Sequence, residues 1–90
     1  MMIISYDIQN DKTRTRFNKY IKKYGYRLQF SVYKIKNSDR VLDVIKADIA
    51  SKFMPLFTED DSIMIFDIDD KNIIRYGYAK HETDDIVVIE

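Results

Sequence analysis

The stretch that decides the fold is "GYRLQFSVYKIK", Gly25 to Lys36. Leu28, Phe30 and Val32 share one parity, whereas Tyr33 and Ile35 share the other. A regular strand keeps its apolar residues on one parity, so a change of phase demands a bulge, a bend or a very tight turn near Ser31 to Tyr33. The region is therefore either two short strands or one long bent one.

Upstream, Met2 to Ile8 is β-rich and reads as a largely buried first strand. Asn10 and Asp11 are helix N-cap types. Behind them Phe17, Tyr20, Ile21 and Tyr24 follow helical spacing, with Arg16, Lys19, Lys22 and Lys23 outside the stripe. Gly25 is expected to stop that helix from its C′ position. Downstream, Asn37 and Ser38 are cap candidates for a second helix, whose stripe is Val41, Leu42, Ile45, Ile49 and Phe53 and whose end is Pro55. Ile63 to Ile68, Ile73 to Tyr78 and "DIVVIE", Asp85 to Glu90, read as strands, with a polar loop at Lys80 to Asp84. The order predicts an α+β fold, a ferredoxin-like β-α-β-β-α-β sandwich with additional C-terminal strands. Residues 1–90 read as a single domain, the last ~10 forming a strand for dimer or partner contact.

The 90 residues are 46% apolar and 33% charged, a globular balance. Cysteine is absent, which excludes disulfides, zinc fingers and thiol catalysis and fits an intracellular setting. No apolar run is long enough to span a membrane and no signal peptide is recognisable, so a cytoplasmic protein is expected. The net charge is zero, but it is segregated. Lys12 to Lys36 holds nine Lys or Arg and no acid, while Phe57 to Glu90 holds ten acids and three bases. Such segregation suits a basic face for a polyanion and an acidic segment for another contact, or simply two solvated faces.

Asp7 closes the first strand. A strand-end carboxylate can hold a hard cation such as Mg²⁺, and a symmetric dimer would bring two copies together. It can equally cap the following helix or pair with an arginine. Arg14, Arg16 and Arg27 carry the planar fork that suits phosphate oxygens, and tyrosines interleave with them as in a nucleic-acid groove. Tyr20 and Tyr24 lie on the apolar stripe and read as core; Tyr6 and Tyr33 are less readily assigned there. His81, the only histidine, lies in the polar loop with no triad around it. "DIDD", Asp67 to Asp70, lacks the glycine and glutamate of a calcium loop and reads as a turn.

"YDI" in the first strand, "RTRF" in the first helix and "YGYRLQFSVYKI" at Tyr24 to Ile35 together resemble the small CRISPR-associated adaptation proteins, Cas family two. The match is specific over the first 36 residues, and "DSIMIFDI" fits a later strand more loosely. The resemblance implies a ferredoxin-like homodimer with Asp7 of both subunits facing a shared Mg²⁺. It implies Asp7 and Tyr6 as catalytic residues, Asp7 as the metal ligand, and Arg14, Arg16, Lys19, Arg27 and Tyr33 as the nucleic-acid contacts. It further implies a role in spacer acquisition: a dimer that binds double-stranded DNA and bridges Cas family one integrase subunits, with possible endonuclease activity on DNA or single-stranded RNA. A stand-alone ribonuclease resembling the virulence-associated D-type toxins is the alternative, since these share the fold and the strand-end Asp.

Overall fold

Two side-chain oxygens set where the helices begin. Asn10 is extended, and its side chain accepts from the Thr13 N–H at 3.0 Å. Ser38 does the same for Val41 at 3.3 Å. Each satisfies one orphan donor of a first turn. In the computed structural model, which describes residues 1–77 and 88–89, α1 spans Asp11–Ile21 and α2 spans Asp39–Asp48. The second helix runs on through a wider turn, Ile49–Phe53, into a short 3₁₀ turn, Met54–Leu56, which carries Pro55. Ile45, Ile49 and Phe53 step by four residues. Steps of four overrun a 3.6-residue turn; the wider turn absorbs the drift and leaves Phe53 buried.

Four strands, β1 (Met2–Asp7), β2 (Gly25–Gln29), β3 (Val32–Ile35) and β4 (Ser62–Asp67), form a sheet in the order β2-β3-β1-β4, every pair antiparallel. Each β-α-β unit is split by a strand of the other, which is the ferredoxin-like plan. The Gly25–Lys36 region is thus two short strands. Arg27 pairs with Tyr33 and Gln29 with Val32, so Leu28 is one residue too many. The phase change itself lies just past the turn at Phe30 and Ser31, inside regular β3: Val32, opposite Ser5, faces away from the helices, whereas Tyr33 and Ile35 face them, so both sides of the strand are apolar.

The alternation of β1 divides the molecule. Ile4, Tyr6 and, just beyond, Ile8 face the helices, where with Tyr33 and Ile35 they enclose Phe17, Ile21, Ile45 and Phe53. Phe17 meets Tyr6 and Phe53 edge-on, with centroids 5.1 and 5.0 Å away. The Tyr20 hydroxyl donates to Asp48 at 2.6 Å and ties α1 to the end of α2. Ile3, Ser5 and Asp7 point the other way. On that face Ile3, Leu28 and Val32 line a cleft of about 520 Å³ with Ile73, Ile74 and Tyr76.

β5 (Arg75–Tyr76) and β6 (Val88–Ile89) pair in parallel as a separate two-stranded sheet. The strand expected over Ile73 to Tyr78 begins later because Ile73 still closes a turn, donating its N–H to the Asp70 carbonyl at 3.1 Å. In "DIDD", Asp69 caps the short 3₁₀ helix Asp70–Asn72. Tyr78, the loop with His81, and the ends of the Asp85 to Glu90 strand lie outside the described residues.

Gly25 does not terminate α1. The helix ends at Ile21, and Lys23 and Tyr24 donate back to Tyr20 and Ile21 in a closing turn. Gly25 opens β2, and its φ is not left-handed. It is needed there because a Cβ would sit 1.9 Å from the Lys34 carbonyl oxygen. Backbone cannot yield as a side-chain tip can. Gly25→Ala is therefore expected to cost about 3 kcal/mol, read as a lower urea midpoint at unchanged slope.

Candidate functional site

Asp7 is the last residue of β1, exposed, and paired in register with Ser62 of β4. Its Oδ1 accepts from Gln9 Nε2 at 3.0 Å, and none of the ion pairs among the described residues involves it. Beyond the ladder, Asp61 takes over the pairing. Its Oδ1 accepts from the Gln9 N–H at 2.8 Å, and its Oδ2 accepts from Thr58 N at 2.7 Å and Thr58 Oγ1 at 3.2 Å. On the other flank, Tyr6 N donates to the Ser31 carbonyl at 3.0 Å. Asp7 therefore lies between the start of β4 and the tip of the β2–β3 hairpin, whose Phe30 is 75% exposed.

The expected site residues do not converge on Asp7 as one cluster. Tyr6 and Tyr33 are core residues, with ring centroids 6.3 Å apart. Their hydroxyls accept from Asn18 Nδ2 at 3.0 and 2.7 Å, which satisfies both buried phenols and fixes α1 on the sheet. Both rings are buried in the core, where they hold the scaffold. Arg14 is also engaged. Its Nη1 donates to the Ile8 and Gln9 carbonyls at 3.0 and 3.3 Å, and its Nη2 pairs with Asp11. It clasps the turn between β1 and α1.

Arg16 and Lys19 are exposed on α1 and, with Lys12 and Thr15, line a shallow surface depression of about 410 Å³. Arg27 is exposed on β2, and its register opposite Tyr33 puts it on the helix side of the sheet. Asp7 faces the other side. Among the described residues no group of three or more His, Cys, Asp or Glu could hold a metal. No helix among the described residues is long and apolar enough to cross a membrane.

A strand-end Asp after a buried Tyr, an arginine-clasped turn, a basic helix and a bulged hairpin stand together in one short chain. The profile of the family described as CRISPR associated protein Cas2 matches residues 1–75. The chain belongs to the Cas2 family. Membership gives it a CRISPR-associated function, and the matched span covers every residue of the candidate site. No curated protein matches the chain.

Three residues that matter here escaped the sequence reading. Asn18 falls between α1's apolar stripe and its basic face, and only the fold brings both phenols to it. Gln9 and Asp61 are 52 positions apart, and only the β1–β4 register joins them. A local hint existed for Asp61: Thr58 and Asp61 have the spacing of a side-chain-capped turn.

Asp48 and Asp61 both have pKa values below the ordinary 3.8. For Asp48 the chief cause is the Tyr20 hydroxyl, and for Asp61 the Gln9 and Thr58 amides. Burial and the Asp48 bond push the Tyr20 hydroxyl upward. A depressed carboxylate stabilises the fold above its unfolded pKa and loses that stabilisation as pH falls through its folded value. Thermal unfolding followed by circular dichroism is expected to shift to lower temperature below about pH 4. Asp61→Asn should flatten part of that dependence.

Proposed function

We propose that the chain works as a homodimer in spacer acquisition, binding double-stranded DNA along a basic helix face and bridging Cas family one integrase subunits. The same dimer carries a Mg²⁺-dependent phosphodiesterase site formed by Asp7 from each subunit, with DNA or single-stranded RNA as substrate. The observation that carries this reading is the position of Asp7: an exposed carboxylate at the edge of the sheet face on which β4 bears exposed apolar side chains. On that face Met64 is 54% and Phe66 40% exposed, beside the cleft lined by Ile3, Leu28 and Val32. An apolar surface of this kind marks an interaction site. A second copy laid on it under two-fold symmetry would duplicate Asp7 near the axis.

Asp7 suits one half of a Mg²⁺ site. The ion prefers hard oxygen donors and is commonly held by one or two carboxylates together with substrate phosphates and water. When bound, it supplies positive charge to a phosphodiester and acidifies nearby water. The protein's own part is to present the carboxylate on a rigid strand end and to exclude water by covering the apolar face. Arg16, Lys19 and Arg27, on the helix side, serve the separate task of holding the nucleic-acid backbone.

Sedimentation equilibrium tests the arrangement. The wild type is expected to sediment as a dimer and a Met64→Lys/Phe66→Lys variant as a folded monomer that has lost Mg²⁺-dependent cleavage. A wild type that is monomeric at all concentrations, or a variant that still dimerises and cleaves, refutes the shared-site reading.

A further inference from the structure

The β1–β4 ladder ends at the pairing of Asp7 with Ser62, and the next backbone donor on β1's exit, Gln9 N–H, has no strand opposite it. Asp61 fills that place at 2.8 Å. Its other oxygen holds Thr58 N and Thr58 Oγ1, so one carboxylate staples the turn before β4 to the turn after β1. From the opposite side Arg14 Nη1 holds the Ile8 and Gln9 carbonyls. Both peptide groups flanking Gln9 are thereby fixed. From that fixed backbone the side-chain amide reaches back to Asp7 Oδ1, at 3.0 Å.

We infer that Gln9 and Asp61 are positioning residues for Asp7: Gln9 orients the carboxylate directly, and Asp61 orients Gln9. The inference rests on the reading of Asp7 as a cation ligand. Gln9 suits the task because its amide donates without bringing charge. A lysine or arginine there would pair with Asp7 and compete with a cation, whereas the amide occupies Oδ1 and leaves Oδ2 without a partner among the described residues. Ligating carboxylates are commonly held by such outer hydrogen bonds, whose loss weakens metal binding by roughly 10–100-fold. The Gln9–Asp7 bond is exposed and local, so its own contribution to folding is small. Asp61 differs. It joins two turns, and its removal affects both the fold and the carboxylate.

The probe is Mn²⁺ alone, titrated into the full-length protein and followed by the electron paramagnetic resonance signal of the free ion, with thermal unfolding measured on the same samples. Asp7→Ala defines the binding that belongs to the site. Gln9→Ala is expected to weaken that component by about tenfold while the unfolding temperature stays at the wild-type value. A purely structural role could not produce that combination. Asp61→Ala should weaken Mn²⁺ binding and lower the unfolding temperature. Asp61→Asn, whose carbonyl oxygen can still accept from Gln9 N–H, should recover most of the affinity. If Asp7→Ala removes Mn²⁺ binding while Gln9→Ala binds it as the wild type does, the positioning role is wrong and the ligand role of Asp7 stands. If Asp7→Ala binds Mn²⁺ as tightly as the wild type, the ligand role itself falls, and the positioning role with it.

Discussion

Asp7→Ala is expected to lower Mg²⁺-dependent phosphodiester cleavage on the order of 10³-fold, equivalent to about 4 kcal/mol of transition-state stabilisation. The fold and the dimer should survive the change. The carboxylate sits at the end of β1, exposed, and its one hydrogen bond among the described residues is to the Gln9 side-chain amide. The strand is held by six backbone-paired positions with β4, of which Asp7 is only the last, and by Ile4, Tyr6 and Ile8 in the core; the substitution changes a side chain and leaves both the ladder and the core in place. Removing a carboxylate also removes some like-charge repulsion if two copies meet at a two-fold axis, so the variant dimer should be at least as tight as the wild type. Cleavage assays with and without EDTA, beside sedimentation of the same preparations, separate the possibilities. Activity that persists in Asp7→Ala and is still abolished by EDTA would place the metal elsewhere. Activity indifferent to both would belong to a contaminating nuclease.

The same substitution need not impair DNA binding, because Asp7 and the basic residues lie on different sides of the sheet. Capture and cleavage are then separable. A scaffold that measures or holds DNA would tolerate the loss of Asp7, and reconstituted spacer integration with the integrase partner can compare the two requirements directly.

Legibility in the sequence followed the range of the interactions involved. Caps are local, and Asn10 and Ser38 do what their residue types and positions indicate. The phase change at Gly25 to Lys36 is also local, and it marked the hairpin turn at Phe30 and Ser31 but not the bulge at Leu28. Contacts across the sheet were hidden. Gly25 reads as a helix stop because it follows an apolar stripe, yet the constraint on it comes from the Lys34 carbonyl on the neighbouring strand. Tyr6 and Tyr33 are not readily assigned to the core from sequence, and the partner that lets their phenols be buried, Asn18, is twelve and fifteen positions away. Arg14 illustrates the same limit from the opposite direction. Its residue type suits a phosphate, but the carbonyls at the end of β1 occupy it first.

That distinction among the arginines yields the second large effect, on duplex binding. Arg16→Glu/Lys19→Glu should weaken binding of a duplex by about 10³-fold near physiological salt, with little dependence on sequence. Both side chains are exposed on α1 and line the same surface depression, so the core does not depend on them. Each phosphate contact contributes about 0.9 to the slope of log K against log salt, and a dimer loses four contacts, so the slope should fall by between about 3 and 4. Arg14→Ala should behave differently. Its guanidinium is spent on Ile8, Gln9 and Asp11, so its removal should loosen the turn after Asp7 and lower the unfolding temperature while leaving the salt slope nearly unchanged. Fluorescence anisotropy of a labelled duplex over a range of salt concentrations reads both variants in one experiment. An Arg14 variant with a slope lowered by nearly 2 per dimer would mean that the guanidinium leaves its clasp for phosphate when DNA arrives. An unchanged slope for the Arg16/Lys19 variant would remove α1 from the binding face and leave Arg27, on the helix side of the sheet, as the residue to test next.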